Sequence, residues 1–128
     1  MGIFGGMFGK SDEKQSSKLP WNYLESMEDL DTAEKNSHEK IVVLFKHSTR
    51  CSISRFVLKQ FENTYDIPED KMEIYFLDLI EYRPISVAIA ERFEVTHQSP
   101  QMIVLKDGKA IFNSSHESID AKDLEQFS

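Results

Sequence analysis

The 128-residue sequence contains a single cysteine, Cys51. One cysteine excludes an intrachain disulfide and a cysteine-rich zinc site, and it suits a reducing interior. The histidines do not stand at the spacing of metal ligands, so no metal site is expected at any of them (His38, His47, His97 and His116).

Cationic side chains are also in the minority. The chain has 15 Lys and Arg against 22 Asp and Glu, which gives a formal net charge of −7 at pH 7. Nucleic-acid binding needs a basic face, so no nucleic-acid partner is expected. Residues 1–10 lack the cationic start of a signal peptide, and their apolar run is too short to span a membrane. We therefore expect a cytoplasmic protein, a monomer, without membrane association.

Length and composition describe one domain preceded by a tail. The hydrophobic fraction of 40% and the charged fraction of 29% are those of an ordinary soluble protein. Residues 1–18 are first glycine-rich and then polar, and they offer little to bury. This pattern predicts a flexible N-terminal tail over residues 1–18 and a folded domain over residues 19–128.

The strongest structural pattern surrounds Cys51. Residues 41–45 form an unbroken apolar and mostly β-branched run, which is typical of a buried strand. Apolar residues then recur at helical spacing up to about residue 65 (Ile53, Phe56, Val57, Leu58 and Phe61). Cys51 is therefore placed in a short polar loop, at the start of a helix.

A helix start favours the thiolate form of a cysteine. Free backbone N–H groups and the positive end of the helix dipole stabilise an anion there. The cationic side chains of Arg50, Lys46 and Arg55 act in the same direction. We interpret Cys51 as a reactive thiol, although a lone cysteine in a soluble protein is more often a small buried hydrophobe.

The apolar periodicity and the turn residues along the chain predict the order β-α-β-α-β-β-α, after an N-terminal helix that begins at Asp31 or Thr32. Two β-α-β crossovers predict parallel strands, and a tight turn at Asp107-Gly108 adds an antiparallel hairpin. Ligand chemistry in open α/β sheets gathers at the carboxyl ends of the parallel strands. Cys51 is expected at that end.

Four features of the chain resemble thioredoxin-fold proteins. They are a strand ending in Phe45-Lys46, a cysteine that opens the next helix, Ser99-Pro100 before a strand, and Lys106-Asp107-Gly108-Lys109 in the hairpin. The resemblance implies an α/β, thioredoxin-like fold with a central mixed β-sheet flanked by helices. It also implies that Pro100 is a cis-proline facing the sulfur of Cys51, with Ser99 beside the thiol. An ordinary loop proline is trans.

The segment around the cysteine reads Phe45-Lys46-His47-Ser48-Thr49-Arg50-Cys51-Ser52-Ile53-Ser54. It is similar to the active-site segment of the YtxJ-type monothiol bacilliredoxins, which belong to bacteria that use bacillithiol. The likeness covers about residues 20–127, and Ser99-Pro100-Gln101 also fits. Family members commonly have proline after the cysteine, where this chain has Ser52. The resemblance implies that Cys51 removes bacillithiol from proteins. Bacillithiolated proteins and low-molecular-weight thiols are then the partners, with bacillithiol as co-substrate and no cofactor.

Ser54 occupies the place of the second cysteine in a Cys-x-x-Cys pair, so the predicted chemistry is monothiol exchange through Cys51. Ser54 either donates a hydrogen bond to the thiolate or caps the helix, and capping is favoured. Lys46 and Arg50 either meet the carboxylates of a small thiol or are solvated surface charges.

Two other functions stay open. Lys46 and Cys51-Ser52-Ile53-Ser54 resemble the Lys and Cys-Gly-Phe-Ser of monothiol glutaredoxins, which implies an iron–sulfur carrier. Against it, position 52 lacks the glycine. The second alternative is a non-catalytic thioredoxin-fold binding module with an inert cysteine.

Overall fold

A computed structural model of the chain describes residues 19–128, and the tail predicted for residues 1–18 lies outside the described residues. The elements follow in the order β1 Asn22–Tyr23, α1 Met27–Asn36, β2 Ile41–His47, α2 Ser52–Thr64, β3 Met72–Asp78, α3 Arg83–Arg92, β4 Gln101–Lys106 and β5 Lys109–Ser115. Two 3₁₀ segments close the chain, at His116–Ser118 and Ala121–Phe127. Among these described residues, no helix is both long and apolar enough to cross a membrane.

The strands form one mixed five-stranded sheet in the order β1-β3-β2-β4-β5. The central strand β2 pairs in parallel with β3 and antiparallel with β4. The prediction of a second parallel β-α-β crossover, from β3 through α3 to β4, is therefore wrong. The extended loop after α3 starts β4 beside the end of β2, where Gln101 pairs with Lys46. This reversal brings Ser99 and Pro100 to the edge of the sheet from which the Cys51 loop leaves.

The N-terminal part of the domain also differs from the prediction. β1 has two residues and pairs in parallel with β3, and a strand of that length leaves no readable period in a sequence. α1 begins at Met27 rather than at Asp31 or Thr32, because Ser26 caps it. The Ser26 hydroxyl accepts a hydrogen bond from the backbone N–H of Asp29 at 3.1 Å.

Two apolar clusters cover the two faces of the sheet, and β2 contributes alternate residues to each. Val42 and Leu44 belong to the cluster under α1 and α3, whereas Val43 and Phe45 belong to the cluster under α2. Because successive side chains of a strand point to opposite faces, Lys46 continues the first face and His47 continues the second. The end of the core strand therefore carries a buried polar side chain on each side.

The predicted apolar stripe of α2 is only partly buried. Val57 and Phe61 lie in the core, but Ile53 is 45% exposed and Phe56 is 60% exposed. Each residue turns an α-helix by about 100°, so Phe56 lies well to one side of the buried line that contains Val57 and Phe61. The first two turns of α2 therefore display two large apolar side chains close to Cys51 in the chain.

Candidate active site

Cys51 is the N-cap residue of α2, in an extended conformation with φ −108° and ψ 121°, and it is partly exposed. No side chain caps the first turn of α2, and no acidic residue lies in that turn. Such a helix start presents unpaired N–H groups and the positive end of the helix dipole. The local geometry therefore suits an anionic sulfur at Cys51.

Ser54 lies one turn into α2 and is fully buried. Its hydroxyl oxygen accepts a hydrogen bond from the backbone N–H of Ser48 at 3.0 Å and lies 2.8 Å from Nδ1 of His47. The prediction that Ser54 caps α2 is wrong, since its side chain points back toward the chain before the helix, as side chains in a helix do. Ser54 instead ties the loop that contains Cys51 to the end of β2.

His47 is a site residue that sequence reasoning missed. Its side chain is 4% exposed, and its ring packs 5.4 Å from the ring of Phe76. Burial lowers the pKa of His47, and the nearby carboxylate of Asp78 opposes this shift. The signal for an inward-facing His47 was the alternation along β2, in which position 47 follows Val43 and Phe45 on the α2 face.

Lys46 is not exposed at all, so its interpretation as a solvated surface charge is wrong. Its Nζ lies 2.8 Å from Nδ1 of His97, and the Ser86 hydroxyl lies 3.3 Å from the same nitrogen. Burial lowers the pKa of Lys46 to about 8. Burial, and after it the charge of Lys46, also lower the pKa of His97. A contact between Lys46 and a carboxylate of a small thiol stays a prediction.

Gln101 holds the loop that precedes β4. Its buried amide nitrogen donates to the carbonyl of Thr96 at 3.0 Å, and its amide oxygen accepts from the N–H of Gln98 at 3.3 Å. The peptide bond between Ser99 and Pro100 is cis, as the resemblance implies. Pro100 directly precedes Gln101 and so lies beside the end of β2. A contact between Pro100 and the Cys51 sulfur stays a prediction.

Arg50 and Arg55 are both exposed, but only one of them is anchored. The guanidinium of Arg55 donates to the carbonyl of Thr49 at 2.9 Å, whereas Arg50 has no hydrogen bond or ion pair within the described part of the chain. The fold thus gathers Lys46, Ser54, Ser99 and Pro100 at one edge of the sheet and leaves Arg50 in solvent. Within residues 19–128, no cluster of three or more His, Cys, Asp or Glu is placed to hold a metal ion.

The family model for monothiol bacilliredoxin BrxC matches residues 22–124. The chain belongs to the monothiol bacilliredoxin family. The family suggested by the segment around Cys51 is thereby confirmed, and with it a thiol redox role. The match includes both the Cys51 loop and the Ser99-Pro100 loop of this bacilliredoxin-family protein.

Solved structures confirm the predicted fold. A candidate oxidoreductase with a thioredoxin fold is 29% identical with a TM-score of 0.70, and the alignment covers 83% of this chain and 91% of that one. Thioredoxin from Malassezia sympodialis is 24% identical with a TM-score of 0.61, over 81% of this chain and 84% of that one. Thioredoxin from Fasciola hepatica is 18% identical with the same TM-score, over 82% and 93%. The two thioredoxins show the fold alone.

Proposed function

We propose that this protein is a monothiol thiol–disulfide oxidoreductase that removes bacillithiol from mixed disulfides on cytoplasmic proteins, with Cys51 as the nucleophile. The observation that carries the proposal is the position of Cys51 at the start of α2, with no capping side chain and no acid in the first turn. A buried serine, Ser54, stands where a second sulfur would otherwise be. The family match supports the same assignment.

The reaction is an exchange in which one disulfide bond forms as another breaks. The Cys51 thiolate attacks the bacillithiol sulfur of the mixed disulfide, and the thiolate of the client protein leaves and takes up a proton. The client cysteine is reduced, and Cys51 now carries the bacillithiol. A second, external thiol then attacks this adduct and regenerates Cys51, because the chain has no other cysteine.

The neighbouring residues hold this arrangement and bind the small thiol. Ser54 fixes the loop before Cys51 through Ser48 and His47, so it positions the nucleophile instead of resolving the adduct. Arg50 is next to Cys51, exposed and without an ion pair within residues 19–128, which suits it to meet a carboxylate of bacillithiol.

Transfer of bacillithiol to Cys51, followed by intact mass spectrometry, tests this function. A client protein with one bacillithiolated cysteine is mixed with the reduced protein, and a glutathionylated sample of the same client serves as comparison. We expect the client to lose the mass of one bacillithiol and the protein to gain it, and Cys51→Ser to abolish the gain.

Other results would favour other functions. A Cys51 that accepts no small thiol would favour the binding module, and selective transfer of glutathione would contradict bacillithiol as co-substrate. A coloured protein after anaerobic purification would favour the iron–sulfur carrier.

A further inference from the structure

The exposed part of the first two turns of α2 carries two apolar side chains with cationic side chains beside them. Ile53 and Phe56 stand three residues apart, so they are neighbours on the helix surface, and they are 45% and 60% exposed. Lys59 follows Phe56 at the same spacing of three residues, and Arg55 stands four residues before Lys59, so both exposed cations adjoin the apolar pair on the side of Phe56. Arg50 precedes Cys51. We call these five residues the basic apolar face (Arg50, Ile53, Arg55, Phe56 and Lys59).

The sign of this face is opposite to that of the whole chain. The formal net charge is −7, yet α2 has no acidic residue before Glu62, which lies near the other end of the helix and accepts a hydrogen bond from Trp21. Arg50 and Lys59 have no ion pair within the described residues. Arg50 and Lys59 are therefore available to an anionic partner.

We propose that the basic apolar face docks an acidic segment of the client protein, one that carries an apolar residue beside its modified cysteine. This rests on the proposed function, because the client must present its mixed disulfide to Cys51. Phe56 supplies apolar area that docking would bury, as aromatic residues commonly do at interfaces. Arg55 and Lys59 select carboxylates beside Phe56, and charge complementarity of this kind raises association rates.

Two peptides provide the probe. Each carries one cysteine as a bacillithiol mixed disulfide next to a leucine; one is flanked by aspartate and glutamate and the other by lysine. Oxidised bacillithiol, which has no peptide segment, is the reference. For the full chain of 128 residues, the measured quantity is the rate of adduct formation with each peptide divided by the rate with the reference.

We expect the acidic peptide to give a ratio about fivefold above that of the basic peptide at low salt, and the difference to fall as salt screens the charges. Lys59→Glu should reduce or invert the preference. Lys59 is suited to this test because it lies eight residues from Cys51, about 12 Å along the helix, where its charge acts weakly on the thiol. Phe56→Ser should lower the ratio for both peptides by about fivefold, since the buried apolar area is lost.

Val87→Ser provides the matched control. Val87 is 55% exposed on α3, on the other side of the sheet, and its replacement should leave both ratios unchanged. Equal ratios for the two peptides, or a Phe56→Ser variant that behaves like Val87→Ser, would overturn the proposal. A wild-type dimer that dissociates in Phe56→Ser would also overturn it, because a second copy would then occupy the face. A double variant, Phe4→Ser with Phe8→Ser, tests the chain's own N-terminal segment as the occupant of the face. If this variant raises both ratios, that segment covers the face and the proposal is overturned.

The two proposals fail in different ways. If the wild type forms no adduct with oxidised bacillithiol or with either peptide, the proposed function itself fails. If all three form adducts but the acidic peptide has no advantage, the function stands and only the docking surface is refuted.

Discussion

The N-termini of α1 and α2 both begin with an N-cap residue in an extended conformation, but the two helix starts differ in how their N–H groups are satisfied. At α1, the Ser26 hydroxyl accepts the N–H of Asp29, and two acidic residues lie in the first turn. At α2, the N-cap residue is Cys51, whose side chain caps nothing, and no acid follows. A side-chain cap thus stabilises the start of α1, whereas the start of α2 has no side-chain cap. α3 also lacks a side-chain cap, but Pro84 in its first turn removes one of the donors.

The surroundings of α2 differ in a second way. The residues that α1 buries are Leu30 and Ala33, whereas the end of β2 beside the Cys51 loop buries Lys46 and His47. Burial of an ammonium or an imidazolium opposes folding at neutral or acidic pH. Burial of Lys46 and His47 therefore lowers the stability of the domain at the end of β2. Substitutions at this end of β2 and at the starts of α1 and α2 test stability and thiol chemistry separately.

The largest effect is expected from Lys46→Met. The pKa of Lys46 is lowered from 10.5 to about 8, so the unfolded chain binds this proton more tightly than the folded one. At pH 7 the shift opposes folding by about 3 kcal/mol, and the penalty disappears as pH rises from about 8 to about 10.5. We expect Lys46→Met to be more stable than the wild type at pH 7, with a smaller difference at pH 9.5, as measured by urea unfolding.

Lys106→Met is the control for Lys46→Met. Lys106 ends β4 and is exposed, so its replacement should not change the pH dependence of stability. A Lys46→Met variant that is less stable than the wild type at pH 7 would contradict the account in which burial of the Lys46 ammonium opposes folding.

Ser54→Ala comes next, with an expected loss of about 2 kcal/mol in the free energy of unfolding. The substitution removes the acceptor of the Ser48 N–H and the partner of His47 Nδ1, and both groups are buried. We also expect a changed alkylation rate of Cys51, because the loop before it loses its tie to α2. Unfolding in urea and iodoacetamide labelling measure the two effects, and an unchanged labelling rate would mean that Ser54 has no part in placing the thiol.

Ser26→Ala makes the start of α1 resemble that of α2. Loss of the cap should cost about 1 kcal/mol in the free energy of unfolding. Cys51 should be alkylated at the wild-type rate, since the Ser26 hydroxyl bonds to the N–H of Asp29 in α1 and not to the loop before Cys51. An effect of Ser26→Ala on labelling as large as that of Ser54→Ala would remove the distinction between the two helix starts.

Ser52→Glu makes the opposite change and places an acid in the first turn of α2. The carboxylate should stabilise the helix by a few tenths of a kcal/mol and at the same time disfavour a neighbouring thiolate. We expect slower alkylation of Cys51 at pH 7, by about threefold. Gln60→Glu adds the same charge two turns further along the exposed side of α2 and should leave the labelling rate unchanged. Equal effects of the two substitutions would show that net charge, not the helix start, controls the thiol.

The sequence predicted β2, α2 and the position of Cys51 between them because both elements carry long, regular apolar patterns. Residue type misled where position decides the environment. A solvated surface charge is one of the two alternatives for Lys46 because lysine is normally exposed, but its place in the alternation of β2 puts it in the core. Capping is favoured for Ser54 because serine is a common N-cap residue, but its position one turn inside α2 directs the hydroxyl to Ser48 and His47. The direction of β4 depends on how the loop after α3 returns to the sheet, which no local pattern records.

The fate of the Cys51 adduct tests the monothiol mechanism most directly. The wild-type protein is loaded with one small thiol, freed of excess reagent and followed by intact mass spectrometry without added thiol. The account predicts that the adduct persists, since exchange requires an attacking thiolate and the chain has no other cysteine. Ser54→Cys should release the small thiol unaided, because the new cysteine attacks the Cys51 sulfur and forms an internal disulfide. A wild-type adduct that discharges without added thiol would contradict the mechanism.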